Sequence, residues 1–126
     1  MDIPEYLEVN KDYANFCPQG EGSLRETIVL VGNAILFCRK EGILRLLVDL
    51  TLRTGHPPPT IMERYWIAQE WAEKARGRVA VGIVVRPEVI DPEKFEVTAA
   101  LNAGQTANVF TSKSEALEWL LRQRRQ

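Results

Sequence analysis

The chain has 126 residues, of which 45% are hydrophobic and 26% are charged, and its formal net charge at pH 7 is -1. This length suits one domain with one shared core, and the composition is that of a folded globular protein. The charge balance argues against nucleic acid as a partner, because phosphate binding needs a clustered positive surface. The basic cluster at the end of the chain, Arg122, Arg124 and Arg125, is interpreted as a solvated terminus.

The sequence also argues against a membrane span, secretion and a zinc site. No segment reaches the roughly 20 apolar residues of a membrane-spanning helix. The first five residues lack the positive and apolar regions of a signal peptide, so a cytoplasmic location is expected. Cys17 and Cys38 are interpreted as reduced core thiols, and with His56 as the single histidine they do not form a zinc motif. No metal or other cofactor is predicted.

The N-terminal part of the chain predicts a hairpin followed by a helix. Two β-prone runs, residues 6–9 and 13–17, are separated by turn residues. Residues 18–22 break the pattern and are interpreted as a turn at the end of the hairpin. Ser23 and Glu26 form a capping box that starts a helix, and Gly42 marks its end.

This first helix is apolar on almost every side. One stripe consists of Leu24, Ile28, Val31, Ile35 and Cys38, and a second group on the opposite side contains Val29, Gly32 and Leu36. Packing the stripe on a sheet leaves the opposite group in need of cover. Val29, Gly32 and Leu36 are therefore the predicted contact residues of a C2 homodimer.

The rest of the chain alternates strands and helices. The predicted elements are a buried strand at 43–52, a helix at 60–76 with a second capping box, a strand at 78–85, a helix starting at Asp91-Pro92 and ending at Gly104, a strand at 106–110 and a helix capped by Ser112. The order β-β-α-β-α-β-α-β-α predicts one α/β domain over residues 1–126. Its sheet has four to five mostly parallel strands and an N-terminal hairpin.

The second helix presents two apolar groups. Its predicted core stripe is Ile61, Tyr65, Ala68, Trp71, Ala72 and Ala75. Met62 and Trp66 fall on the polar side, and tryptophan is enriched at binding hot spots. Met62 and Trp66, rimmed by Glu63, Glu70 and His56, therefore form a candidate partner-binding patch. The alternative is burial under the loop of three prolines (Pro57, Pro58 and Pro59) or under a neighbouring helix.

Few residues suggest catalysis. Asp49 ends a buried strand, the usual place for functional carboxylates in open α/β sheets, and His56 lies in the loop that follows. No nucleophile motif or glycine-rich phosphate loop accompanies them. Asp49 is therefore expected to accept loop hydrogen bonds, and a small enzyme using Asp49 and His56 is the least favoured reading.

The turn at Gly20-Glu21, the capped helix after it and the strand ending in Val48-Asp49-Leu50 resemble the anti-sigma-factor antagonist (STAS) family. The closing segment, residues 115–120, is similar to SpoIIAA-like proteins of the STAS and CRAL-TRIO-related group. The resemblance implies the SpoIIAA-like fold and a binding role. Where that family carries a phosphorylated serine, this chain has proline between His56 and Thr60, so no phosphoacceptor is carried over.

These patterns favour a non-enzymatic regulatory module that binds a protein partner or a second copy of itself. The alternative is a carrier of a small apolar or lipid ligand, as the CRAL-TRIO resemblance implies, in which an all-round apolar helix lines a pocket.

Overall fold

The computed structural model describes residues 2–123, except for the side chain of Glu96. In chain order the elements are β1 (Leu7–Val9), β2 (Ala14–Phe16), β3 (Gly20–Glu21), α1 (Leu24–Lys40), β4 (Arg45–Asp49), β5 (Arg53–Thr54), α2 (Ile61–Ala75), β6 (Ala80–Val84), α3 (Phe95–Asn102), β7 (Ala107–Phe110) and α4 (Lys113–Leu121). Of the C-terminal basic cluster, Arg124 and Arg125 lie outside the described residues.

The main sheet has five strands in the order β1-β2-β4-β6-β7. β1 pairs with β2 antiparallel, and the other three pairings are parallel. The predicted α/β fold, its N-terminal hairpin and its mostly parallel sheet are thereby confirmed. α1 joins β2 to β4, α2 joins β4 to β6 and α3 joins β6 to β7, and each step moves to the next strand on the same side. Because such crossovers are right-handed, all three helices lie on one face of the sheet.

A second, two-stranded sheet was not predicted. β3 pairs with β5 in parallel, with Gly20 opposite Arg53 and Glu21 opposite Thr54. The sequence predicted a turn at residues 18–22, because a strand of two residues has no alternation to detect. This short sheet ties together the two loops that leave the carboxyl ends of β2 and β4.

Alternate residues of β4 supply two cores on opposite faces of the sheet. Leu46 and Val48 pack in the main core beneath α1, whereas Leu47 packs with Ala116 and Leu120 of α4. α4 therefore covers the face opposite α1, α2 and α3. Both faces of the sheet are covered, as the continuous apolar run of β4 requires.

Both cysteines are free thiols, and they differ in burial. Cys38 lies in the main core with no exposed surface, and this burial raises its pKa from 9.0 to about 12. Cys17 is half-buried. Desolvation is the main cause that raises the pKa of its thiol, and the negative charge of nearby Asp49 raises that pKa further.

Two helices begin as the capping boxes predicted. The Ser23 Oγ accepts a hydrogen bond from the Glu26 backbone N–H at 3.1 Å, and Ser23 N–H donates to Glu26 Oε1 at 2.8 Å. Thr60 and Glu63 repeat this arrangement at the start of α2, with distances of 3.2 and 2.8 Å. Each box provides side-chain acceptors for two backbone N–H groups that the start of a helix leaves without a partner.

The predicted start of α3 at Asp91-Pro92 was wrong. Lys94 has a left-handed backbone, with φ of 50°, and the helix begins only at Phe95. Asp91 still serves the helix end, because its Oδ2 accepts from the Phe95 N–H at 2.8 Å. The aspartate thus closes a turn that precedes the helix instead of capping the helix directly.

Candidate functional site

The buried face of α2 differs from the predicted stripe. Ala68, Ala72 and Ala75 are buried as predicted, together with Ile67. Ile61 and Tyr65 are 58% and 49% exposed, so their assignment to the core was wrong. The apolar spacing predicted one inward side along the whole of α2, but at its start the inward side chains are Arg64 and Ile67, which line a cavity.

This cavity has a volume of about 110 Å³ and lies between α2 and the sheet, with α1 and α3 as side walls. Its apolar lining comes from all four elements and includes Ile28, Ile67, Trp71, Val81, Ile83, Val97, Ala100 and Val109. It exists because α2 packs chiefly on α1 and α3 and stands away from the sheet. The valines of the floor and the alanines of the roof are too short to fill the gap.

The mouth of the cavity lies at the carboxyl ends of the parallel strands. The lining residues Arg53, His56 and Arg86 are half-buried and reach solvent there, whereas Gln105 at the amino ends of β6 and β7 is 2% exposed. Ligands of open α/β sheets bind outside the carboxyl ends of the strands. The cavity therefore opens where this class of fold usually binds its ligands.

Hydrogen bonds hold the two mouth arginines in place. Arg53 Nε donates to Thr27 Oγ1 at 3.0 Å, and its Nη1 donates to the Gln19 carbonyl at 3.2 Å. Arg86 Nη1 donates to the carbonyls of Thr51 and Arg53, at 3.2 and 3.0 Å. The Arg86 Nε also forms a salt bridge with Glu88 Oε2 at 3.0 Å, so the chain fixes two guanidinium groups at the rim of the cavity and already pairs one of them with a carboxylate.

Arg64 lines the same cavity from α2. Its Nε donates to the Pro59 carbonyl at 3.1 Å, and its Nη2 donates to the Val89 carbonyl at 2.8 Å. These bonds connect the start of α2 with the loop after β6. The Arg64 guanidinium thus lies on the inward side of α2, where the sequence predicted Ile61 and Tyr65.

The structure does not bring Asp49 and His56 together. Asp49 Oδ1 accepts from the Thr51 N–H at 2.9 Å and from the Thr51 hydroxyl at 2.6 Å, which confirms its expected role in the loop. Two residues after Leu47, Asp49 points to the face covered by α4. His56 lines the cavity on the other face, with its Nδ1 3.1 Å from the Pro57 carbonyl oxygen.

The predicted partner patch is exposed in part. Met62 is 76% exposed and Trp66 is 36% exposed, and the Arg25 guanidinium lies 5.4 Å from the centre of the Trp66 ring. Glu70 is exposed, whereas the Glu63 carboxylate is held by the capping box. His56 belongs to the cavity lining. The exposure of Met62 argues against the alternative of burial under a loop or helix.

The three predicted dimer residues do not form one surface. Val29 is 53% exposed and Leu36 is half-buried. Gly32 is buried against α2, since a Cβ built there would lie 3.6 Å from Lys74 Cγ and 3.8 Å from Trp71 Cδ1. Gly32 is therefore a contact between α1 and α2 of the same chain and is not available to a second copy. The dimer itself stays a prediction.

Arg53, Arg86 and Gln105 were not predicted from the sequence as residues of the site. Arg53 and Arg86 follow shortly after two parallel strands, and that position was a usable signal. Gln105 carried no such signal, because a single glutamine after a glycine resembles any loop residue. Within residues 2–123, no group of three His, Cys, Asp or Glu side chains could hold a metal ion, and no helix is long and apolar enough to cross a membrane.

Thr60 stands nearest to the place where the resembling family carries its phosphoacceptor. Because its hydroxyl accepts from the Glu63 N–H, Thr60→Ala should lower the free energy of unfolding by about 1 kcal/mol. Thr60→Ser keeps the acceptor and should retain most of that stability. Urea unfolding of both variants measures the difference, and equal losses would contradict the capping role.

No protein-family model matches the chain, and no curated protein matches it. A solved structure of an uncharacterised protein from Shewanella loihica, of the DUF3478 family and with a SpoIIAA-like fold, is similar to it. The two share 20% sequence identity with a TM-score of 0.50, and the match covers 90% of this chain and 89% of the other. This likeness and the strand order agree with the fold implied by the sequence: the chain has a SpoIIAA-like fold.

Proposed function

We propose that this protein is a non-catalytic binding module for a small ligand with an apolar body. The observation that carries the proposal is the apolar cavity beneath α2, open at the carboxyl ends of the strands. An apolar pocket with a few polar groups at its edge is the usual form of a small-molecule site. The separation of Asp49 from His56 supports a binding role over a catalytic one.

The cavity sets the size of the ligand. A water molecule needs about 10–15 Å³ of cavity volume, so the cavity of about 110 Å³ has room for about seven to eleven water-sized groups. Its floor runs along Val81 and Ile83 of β6 and Val85 just after that strand, a distance of about 13 Å. A slender molecule such as a medium-length alkyl chain fits these dimensions. Arg53, which lies at the mouth, favours an anionic group at the outer end of the ligand.

Octanoic acid is a suitable probe, and filling the cavity provides the test. Ala100 lines the cavity from α3 and is 4% exposed. Ala100→Leu should weaken octanoate binding at least tenfold in isothermal titration calorimetry while leaving the thermal stability equal or higher, because the new side chain fills empty space.

Thr98→Leu is the control, since it adds an apolar side chain on the exposed side of the same helix. This variant should bind octanoate like the unmodified protein. If the unmodified protein does not bind octanoate or other short fatty acids at millimolar concentration, the proposed function is wrong.

A second candidate is self-association through the outer face of the helices, which we define as Arg25, Val29, Met62 and Trp66. Arg25 lies over Trp66, and Val29 follows one turn after Arg25, so the exposed parts of the predicted dimer and partner surfaces share one side. Exposed apolar groups of this kind mark protein contact sites when they are contiguous. Regulation by protein contact would use this face.

Trp66→Ala tests this candidate. The side chain is partly exposed and makes a cation–π contact worth about 0.5–1 kcal/mol, so the melting temperature should change little. The dimer fraction in sedimentation equilibrium should fall strongly. Leu101→Ala removes a 61% exposed apolar side chain from α3 and should leave the mass unchanged. A monomeric unmodified protein at high micromolar concentration would rule the dimer out.

A further inference from the structure

Arg53 and His56 each keep one nitrogen that makes no hydrogen bond within residues 2–123. The Nε and Nη1 atoms of Arg53 donate to Thr27 and Gln19, which leaves Nη2. The Nδ1 atom of His56 faces the Pro57 carbonyl oxygen, which leaves Nε2 on the opposite side of the ring. Both side chains are half-buried and line the cavity at its mouth.

Both nitrogens are accessible from outside the chain. Among the described residues, three side-chain atoms are buried without a hydrogen-bond partner: Asn15 Oδ1, Arg45 Nε and Gln105 Oε1. Arg53 Nη2 and His56 Nε2 also lack a partner, but neither belongs to this buried group. Each therefore exposes surface that a molecule seated in the mouth can contact.

Gly22 brings the two side chains to one place. The Arg53 guanidinium lies directly on this glycine, because a Cβ built on Gly22 would overlap Nη2. Gly55, which precedes His56, packs against the same residue, since its Cβ would lie 2.7 Å from the Gly22 carbonyl oxygen. The guanidinium and the segment that carries His56 thus meet at Gly22.

The contact with Pro57 determines which ring nitrogen of His56 carries the hydrogen. A carbonyl oxygen only accepts, so Nδ1, 3.1 Å from it, is the protonated nitrogen of the neutral ring. Nε2 then presents a lone pair, which repels an anion. In the cationic ring Nε2 carries a hydrogen and forms a charge-assisted hydrogen bond with an anion.

The carboxylates near the mouth are engaged elsewhere or exposed. Glu26 and Glu63 accept from backbone N–H groups in the two capping boxes, and Glu88 is paired with Arg86. Glu21 is exposed, where salt screens its charge. In the part of the chain that the structure describes, no salt bridge involves Arg53.

Histidine is the side chain that changes charge between pH 5 and 8, and His56 is the single histidine of the chain. The arginines of the lining stay cationic, and carboxyl groups titrate near pH 4. Backbone hydrogen bonds lower the pKa of Glu26 and of Glu88 further. A pH dependence of ligand binding in this range therefore reports on His56.

We propose that the ligand is a medium-length acid whose anionic group is bound jointly by Arg53 Nη2 and His56 Nε2, so that protonation of His56 tightens binding. The apolar chain of the acid lies in the cavity. This inference rests on the proposed function and adds the group that recognises the acid and the control of its binding by pH.

Octanoic acid and octan-1-ol, compared at pH 6 and pH 8, test the proposal on the unmodified protein. The acid is ionised at both values, because carboxyl groups titrate near pH 4. Octanoate should bind about fivefold more tightly at pH 6, since the cationic ring donates a hydrogen bond that the neutral ring cannot. Octan-1-ol should bind equally at both values. The ring resonances of His56 should shift with octanoate and move less with the alcohol.

Each other outcome has a distinct meaning. Equal octanoate affinity at the two pH values would overturn this inference and leave the proposed function intact. The same pH dependence for both ligands would show that the cavity itself changes with pH, which also overturns it. If neither ligand binds at either value, the proposed function fails first.

Two variants assign the roles. His56→Asn keeps an N–H donor near the position of Nδ1 and removes Nε2, so octanoate affinity should become independent of pH. Arg53→Gln should weaken octanoate about tenfold at both values while octan-1-ol still binds, which also shows that the cavity is intact. Arg78→Gln removes the same charge from an exposed position at the amino end of β6 and is the control. A retained pH dependence in His56→Asn, or equal octanoate affinities in the two arginine variants, would refute the joint site.

Discussion

Leu120→Ala should lower the free energy of unfolding by about 2–5 kcal/mol, the range for truncating a buried leucine. Leu120 has no exposed surface and packs with Leu47, Val84 and Ala116 between α4 and the sheet. This cluster is separate from the main core, and Trp119, which packs against Phe110, is the other large apolar side chain that α4 contributes to it. Urea unfolding followed by tryptophan fluorescence measures the loss.

Leu121→Ala is the matched control, because the neighbouring leucine is 40% exposed. It should change the free energy of unfolding by less than about 1 kcal/mol, as is usual for surface positions. Native-state hydrogen exchange of Leu120→Ala should show the α4 amides exchanging before those of β4 and β6. Similar losses in the two variants would mean that α4 does not use Leu120 as its main anchor.

Gly55→Ala should lower the free energy of unfolding by about 2–5 kcal/mol, combining a strained backbone with an overpacked site. Gly55 has φ of +105°, and a Cβ there would lie 2.7 Å from the Gly22 carbonyl oxygen and 2.8 Å from the Gly22 nitrogen. Both atoms belong to the backbone, so no side-chain rotation can relieve the contact. The Gly22 N–H also donates to the Thr54 carbonyl at 2.9 Å, and that hydrogen bond would be lost as the loops separate.

Gly20→Ala separates the two causes. Gly20 lies in β3 and has φ of +87°, but a Cβ built there would meet nothing within 4 Å. Only the backbone strain remains, so the expected loss is about 1–2 kcal/mol. Thermal unfolding of both variants should place Gly55→Ala well below Gly20→Ala, and the reverse order would contradict the close approach of the two loops.

Most of the fold could be predicted because its signals are local. The capping boxes at Ser23 and Thr60 mark helix starts through contacts three residues apart, and the apolar run before Asp49 marks a buried strand. Alternation of strands and helices then leaves few topologies. The start of α3 could not be predicted this way, because the left-handed conformation of Lys94 depends on the turn around it.

The site was predicted less well, because it depends on where helices stand relative to the sheet. The periodicity of α2 identified Ala68, Ala72 and Ala75 correctly, but periodicity cannot show that the first turns of α2 overlie a gap. Ile61 and Tyr65 were therefore placed in the core, and Arg64 was overlooked. The buried position of Gln105 depends on its hydrogen bonds to the Val79 and Thr106 carbonyls, and no sequence pattern reports the bond to Val79.

α2 is held at its sides by α1 and α3 and by the hydrogen bonds from Arg64 to Val89 and from Trp71 to Ile28, while the strands below it form a separate hydrogen-bonded layer. The backbone hydrogen bonds of the sheet run between β1, β2, β4, β6 and β7, and α2 contributes none of them. Outward displacement of α2 therefore enlarges the cavity without breaking a strand pairing. Met62 and Trp66 would move with the helix, so the size of an occupant can alter the surface that faces solvent while the sheet stays unchanged.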